Sequence, residues 1–379
     1  MAGSVTIDVL RRLSAFRAQN GCVISLFVGL DPSVTPTAGD ADSRVNSLLS
    51  EAEKRLGAEK DELTHDQRQA LRADVNRIRQ YFDVEFDRDG VHGLAVFADG
   101  LDDLWVTLPL PYAVPDGVRI DRTCQVAPLV SLVGVGDGAL VAVVGREAGA
   151  IYRLRAGRLE QVVDQTEEQP SRHDQGGWSQ ARFQRHIDNL AAEHMRAVAA
   201  ELDRHVRRLD DPAVVVVATE ENRGEFEEMV AQETRAAVAG WTQAEAHATP
   251  AQLLEVVAPV LDESRARRQE EVLARWREEA GRAGRAASGW AATLDAASDS
   301  RVDVLLFREG AQREAWQCPR CGRAAVEAGQ CPLDGAELER RDDGLDLAIR
   351  HTLANGGRAV AINGPDLDPV EGIGALLRF

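Results

Sequence analysis

His173-Asp-Gln-Gly-Gly-Trp-Ser-Gln-Ala-Arg-Phe-Gln-Arg185 is the stretch around which the rest of this 379-residue chain is organised. Its adjacent glycines, Gly176 and Gly177, permit backbone angles closed to other residues and let the chain approach a ligand closely. An amphipathic helix is predicted directly after them, over 181–208, where Phe183, Ile187, Leu190, Val198, Leu202 and Val206 recur at mostly helical spacing. A helix N-terminus flanked by arginines suits phosphate, because its free N–H groups and its dipole both favour an anion. Arg172 and His173 stand on one side of the loop, and Arg182, Arg185 and His186 on the other. From Ser171 to His186 three arginines face one acid, Asp174, so the patch is basic inside a chain of net charge −18. The plain alternative is a surface turn with Ser179 as helix N-cap.

Outward from the loop, β-rich runs at 129–133, 140–144, 151–154 and 159–163, separated by glycine-containing turns, read as antiparallel hairpins. Beyond the helix come a buried strand at 214–217, an acidic helix at 223–233, a short strand near Ala237 and a long helix at 250–280. The order meander, helix, strand, helix, strand, helix resembles the RNase H-like topology, an analogy of fold and not of function. Toward the N-terminus we expect helices at 7–18, 41–56 and 65–81 and strands at 22–28, 92–97 and 104–108, closed by Pro109, Pro111 and Pro115. After a hinge at 281–289, strands at 302–307 and 359–363, a helix at 345–353 and an apolar tail at 372–379 suggest a small α/β/α sandwich. The expected organisation is therefore α/β throughout. An N-terminal α/β domain spans 1–125, an RNase H-like middle domain 126–282, and a C-terminal domain 283–379 carries a cysteine-rich insert at 318–335.

Composition narrows the class. Hydrophobic residues make up 44% and charged residues 28%, as in ordinary globular chains. No run approaches the 18 or so apolar residues of a membrane helix, and the first thirty residues do not read as a secretory signal. A cytoplasmic protein without membrane contact is expected. The acidic balance argues against generic nucleic-acid binding, which needs local cation density, so any RNA contact must come from a basic patch. Only Lys54 and Lys60 are lysines, a chain-wide bias that says nothing about one site.

Of five cysteines, Cys22 and Cys124 lie alone in apolar runs and read as buried thiols. The other three form an echo: Cys318-Pro-Arg-Cys-Gly322 is repeated as Cys331-Pro-Leu-Asp-Gly335. Asp334 thus stands where a fourth cysteine would be. Zinc accepts three thiolates and a carboxylate in a tetrahedral set, so Cys318, Cys321, Cys331 and Asp334 are candidate ligands of a structural ion, with His351 an alternative fourth. A decayed knuckle that folds without metal is the other reading.

The central loop resembles the archaeo-eukaryotic class-one peptide release factors, which carry Gly-Gly-Gln-Ser-Ala-x-Arg-Phe-x-Arg at the start of a long helix. Gly176, Gly177, Ser179, Arg182, Phe183 and Arg185 agree with that pattern. The family's catalytic glutamine position is Trp178 here, and a glutamine follows two residues later as Gln180. The displaced glutamine is similar to that of bacterial relatives and of the peptidyl-tRNA hydrolases of ribosome quality control. No counterpart of the Asn-Ile-Lys-Ser element that reads stop codons is present. The resemblance implies a three-domain chain, a zinc-binding insert in the last domain, and the ribosome and peptidyl-tRNA as partners, with room for a translational GTPase. Peptide release is hydrolysis of an ester. Glutamine is a poor base, but its amide can accept from and donate to a water or a ribose hydroxyl at once. The implied roles are positioning by Gln180, with Gly176 and Gly177, and RNA contact by Arg172, Trp178, Ser179, Arg182 and Arg185. Trp178 could equally stack on a terminal base or anchor the loop. The competing function is a non-catalytic, dormancy-type factor occupying the tRNA site. A two-metal nuclease would need clustered carboxylates, and 140–144 offers none.

Overall fold

The structure is a computed structural model. It describes all residues except 1–4, 59–62, 89, 134–137, 147, 156, 167–179, 210–211, 246 and 283; side chains are also not described at 55–58, 148, 165–166 and 180–190. The chain forms two compact units, one of residues 1–133 with 267–379 and one of residues 134–266.

The first unit begins with α1 (Ile7–Ala15), capped by Thr6, whose hydroxyl accepts from Val9 N at 3.2 Å. Then follow β1 (Val23–Gly29), α2 (Ala38–Ala58), α3 (His65–Gln80), β2 (Gly93–Asp99), β3 (Leu104–Leu110), β4 (Gly117–Asp121) and a short α4 (Ala127–Val130). Thr64 and Gln67 close a reciprocal capping box on α3, which ends in a π-helical turn at Tyr81–Glu85. The sheet order is β3-β2-β1-β4, antiparallel throughout. β1 and β2 are buried at every position, as their uninterrupted apolar runs require. β4 lies beyond the proline-rich segment that we expected to end this domain, and residues 129–133, expected as a strand, are the end of α4 and a turn. Proline at the second position of α4 and the αR backbone of Val126, its N-cap, favour a helical turn over an extended run there.

The middle unit contains β5 (Leu140–Val144), β6 (Ala148–Arg155), β7 (Arg158–Thr166), α5 (Gln180–Val206), β8 (Val214–Ala218), α6 (Glu220–Met229), α7 (Gln232–Ala237) and β9 (Val238–Thr242). α8 (Pro250–Gly281) belongs to it up to Ala266. Its sheet runs β7-β6-β5-β8-β9; the first three strands are antiparallel and β5, β8 and β9 parallel. One face carries Leu140, Ala142, Ile151, Val214 and Val216 against Met195, Val198 and Leu202 of α5. The other carries Val141, Val215 and Val217 against Leu253 and Val257 of α8. The acidic helix expected at 223–233 is two short helices, α6 and α7, broken at Val230–Ala231.

The chain returns to the first unit with β10 (Ala286–Ser288), α9 (Gly289–Ser298), β11 (Val302–Arg308), β12 (Ala315–Gln317), β13 (Ala324–Ala325), β14 (Glu339–Arg341), α10 (Gly344–Ala354), β15 (Arg358–Ile362) and β16 (Ile373–Leu377). The main sheet runs β10-β16-β11-β15, so the apolar tail of the sequence is an internal strand. Val304, Leu306 and Leu376 pack with Leu273 and Trp276 of α8, while Leu305, Phe307, Ile373 and Ala375 join α9 and α10. The segment read as a hinge at 281–289 contains β10 and the start of α9. β13-β12-β14 form a separate small sheet around the cysteine insert.

The segments 1–133 and 267–379 share one core. Leu10, Leu13, Phe27, Phe97 and Leu129 lie in the same cluster as Trp290, Leu294, Leu347 and Ile349. Polar pairing reinforces it: Asp346 Oδ1 accepts from Val126 N at 2.7 Å and from Ala127 N at 2.9 Å. Asp343 meets Arg350 at 2.9 Å and Arg341 at 3.2 Å, and Arg341 also meets Asp121 at 2.5 Å. Burial alone would raise the Asp343 pKa; the guanidinium groups of Arg350, Arg119 and Arg341 outweigh it and bring it down to about 2.

Candidate functional site

α5 is a 27-residue helix whose first residue is Gln180. It follows β7, the edge strand, so the loop leaves the sheet at Thr166 and re-enters helix at Gln180. Arg172, Gly176, Gly177, Trp178 and Ser179 lie outside the described residues. Gln180, Arg182 and Arg185 lie in the first two turns of α5, where the backbone is helical and the side chains are not described. The structure therefore places these three at a helix N-terminus, the anion-favouring end.

Further along, α5 is held rigidly. Met195, Val198, Ala199 and Leu202 are buried against the sheet. Gly149 of β6 makes the close approach possible, since a Cβ there would collide with the Val198 side chain and crowd His194 Nε2. His194 is itself buried, and its Nε2 has no hydrogen-bond partner among the described residues. At the far end Asp203 accepts from Ala231 N at 3.1 Å and from Thr234 Oγ1 at 2.5 Å, tying α5 to the break between α6 and α7. These anchors were missed from sequence: an Asp on the exposed-looking side of a helix carries no signal until the break at Ala231 is placed beside it.

The cysteine insert is described in full, and its two halves share one backbone. Gly322 N donates to Cys318 O at 3.0 Å, and Gly335 N to Cys331 O at 2.9 Å. Cys318 N donates to Arg323 O and Cys331 N to Ala336 O, each at 2.8 Å. Gly322 and Gly335 both adopt left-handed conformations, φ 79° and 69°, which explains the glycine closing each knuckle. The turns bring Cys318 Sγ, Cys321 Sγ, Cys331 Sγ and an Asp334 oxygen within 4.8 Å of one another. Cys321 and Cys331 sulfurs are 3.5 Å apart, and Cys318 Sγ is 3.4 Å from Asp334 Oδ2. Metal–sulfur bonds of about 2.3 Å in a tetrahedron put the ligands about 3.8 Å apart, so the donor set fits a zinc-sized ion. The Ala336 N–H holds the Asp334 carboxyl below its ordinary pKa, which keeps it an anionic donor. His351 is not part of this group. Its Nε2 lies 2.9 Å from Gly322 O and donates to it, so the ring of α10 braces the first knuckle from below. Arg323 pairs with Asp295 and Asp299 of α9, at 2.9 and 2.6 Å.

Residues 125–262, which enclose the loop, α5 and the five-stranded sheet, match the model of bacterial archaeo-eukaryotic release factor family 10. The match covers this region and not the rest of the chain. The matched region ends inside α8 and excludes the cysteine insert. Solved structures similar to this chain include the archaeal translation termination factor aRF1, at 15% identity over 99% of both chains with a TM-score of 0.28. Dom34 of S. cerevisiae, a translation termination-like factor, is 11% identical over 76% of this chain and 80% of its own, with a TM-score of 0.42. Archaeal Pelota, from a ribosome-bound complex with ABCE1, is 11% identical over 100% of this chain and 95% of its own, with a TM-score of 0.37. No curated protein matches the chain at comparable stringency.

Proposed function

We propose that this chain is a cytoplasmic, ribosome-directed factor that brings its 173–179 loop to the ester of peptidyl-tRNA and promotes attack of water through Gln180. The observation that carries the reading is the position of Gly176, Gly177 and Ser179 immediately before a 27-residue helix that starts at Gln180, inside a region matching a release-factor family. In this reading the middle unit is RNase H-like, consistent with its strand order, and serves as a rigid mount for the loop. The three-part division at 1–125, 126–282 and 283–379 is kept as the functional organisation.

The chemistry follows from side-chain types. Gln180 accepts from the attacking water and orients it, while loop N–H groups stabilise charge developing on the carbonyl oxygen. Arg172, Arg182 and Arg185, with the helix N-terminus, take the phosphates of the acceptor end. Cys318, Cys321, Cys331 and Asp334 would hold one structural zinc, which has no open position and supplies folding energy to the insert.

One observation favours a second reading. Trp178 stands where release factors place their catalytic glutamine. A large ring at that position suits a factor that fills the tRNA site without hydrolysis. Single-turnover release from ribosomes carrying labelled peptidyl-tRNA, at saturating factor, separates the two. Hydrolysis through Gln180 requires release by the wild type and a drop of about ten- to a thousandfold in Gln180→Ala, corresponding to about 1.4–4 kcal/mol. Equal release by both refutes the role of Gln180. Tight ribosome binding with no release by either establishes the non-catalytic reading.

A further inference from the structure

We propose that Cys321 and Cys331 form a modification site: a single reversible disulfide made when the insert meets a two-electron oxidant such as hydrogen peroxide. The two sulfurs are already 3.5 Å apart, on separate knuckles. A disulfide needs about 2.05 Å, so the turns must close by about 1.5 Å. Each turn is closed by its own pair of backbone hydrogen bonds, so it can move as a unit without breaking the other.

The two thiols differ in exposure. Cys321 is exposed and open to a small oxidant, whereas Cys331 is buried beneath it. The third thiol lies within 4.8 Å of both but faces a carboxylate. Cys318 is buried and directed at the Asp334 carboxylate, at 3.4 and 3.5 Å from its two oxygens. Replacement of a fourth cysteine by Asp334 thus leaves one sulfur pair at 3.5 Å and a third thiol against a carboxylate, which favours the Cys321–Cys331 pairing.

The step balances as follows. Cys321 gives up its thiol proton and attacks a peroxide oxygen; an S–O bond forms, the O–O bond breaks, and the departing hydroxide takes that proton to become water. The Cys331 thiolate then attacks the sulfenic sulfur of Cys321; the S–S bond forms, the S–O bond breaks, and a second water leaves with a proton. Two thiols are oxidised by two electrons and one peroxide is reduced to two waters. Where the four donors hold a metal, as proposed above, pairing leaves only Cys318 and Asp334 and the ion is released. That consequence rests on the metal reading; the disulfide does not. The first knuckle is also braced by His351 through Gly322 O, so its rearrangement is transmitted to α10.

The three cysteines fall on separate tryptic peptides, because Arg313, Arg320, Arg323 and Arg340 flank them. The full-length protein is treated with equimolar peroxide, alkylated and digested. The expected product is peptide 321–323 joined to peptide 324–340, with Cys318 alkylated, and the link disappears after dithiothreitol. Cys318→Ser keeps the link, and Cys321→Ser and Cys331→Ser abolish it. Three alkylated thiols after peroxide, or links to Cys318 as abundant as the Cys321–Cys331 link, overturn the proposal. Zinc measured in parallel separates the two readings: a disulfide in a zinc-free protein sinks only the metal, and bound zinc without a disulfide sinks only the switch.

Discussion

Asp99, at the end of β2, shows how a single side chain can work against the fold that holds it. It is 1% exposed, and its Oδ2 has no hydrogen-bond partner among the described residues. Burial, with the neighbouring charge of Asp102, pushes its pKa from 3.8 to about 6. Between those values the folded chain holds a proton that the unfolded chain has lost. Stability therefore falls as pH rises from about 4 to about 6, and above that the whole penalty persists. Asp99→Asn keeps the shape and can donate to Asp102. It is expected to raise stability at pH 7.5 and to flatten the change between pH 4.5 and 7.5. Urea denaturation at the two pH values measures this; a variant with the same pH difference as the wild type contradicts the assignment. Gly21 belongs to the same corner, since a Cβ there would overlap Asp99 Oδ1.

At the scale of elements, α5 and the cysteine insert carry the functional argument. The two arginines in the first turns of α5 add to its dipole, and if they meet phosphate their removal must release fewer counterions on binding. Arg182→Glu with Arg185→Glu is expected to weaken ribosome or tRNA association and to lower the slope of log K against log salt by about 2. An unchanged slope would mean that another surface makes the contact. For the insert, about one zinc per chain is expected after purification without added metal, and none in Cys318→Ser. A metal-free protein with the insert fully protected from proteolysis would argue for the decayed knuckle. Much of both elements is legible in the sequence: the start of α5 lies one residue from its expected position, and the Cys-Pro-x-x-Gly echo marks both knuckles. The role of His351 was not legible, because a contact between the ring and Gly322 O depends on where α10 packs.

For the whole molecule, the division of cores decides which parts fold alone. The middle unit holds two clusters, one on each face of its sheet, entirely within 134–266. The N-terminal segment has one cluster of its own, under α2 and α3, while the other face of its sheet is covered together with α9 and α10. A fragment 134–266 is therefore expected to unfold cooperatively. A fragment 1–133 should expose Phe27, Phe97, Val106 and Leu108, bind a hydrophobic dye, and lose that binding when 267–379 is co-expressed. Dye-free, cooperative unfolding of 1–133 alone would show that the shared core is dispensable. Asp346 tests the same junction. Asp346→Ala leaves the Val126 and Ala127 N–H groups without their acceptor and is expected to cost about 3 kcal/mol, while Asp346→Asn, which keeps an oxygen, costs less. Equal losses in the two variants, read from denaturant midpoints, would count against it.

Local order was within reach of the sequence because it depends on neighbours along the chain. Apolar runs named β1, β5 and β8, helical spacing named α5 and α8, and the Cys-Pro-x-x-Gly echo named both knuckles. Tertiary structure decided the rest. Residues 129–133 are apolar enough for a strand, but Val126 and Ala127 are pinned to Asp346, 219 or more positions away, and the chain turns there instead. β4 joins the first sheet across a proline-rich segment because β1 offers it a free edge. The tail at 373–377 is an internal strand because β10 and β11 flank it. Pairing of distant segments is a choice among surfaces of similar apolarity, made by which faces remain uncovered once everything else has packed, and no local window of sequence contains that information.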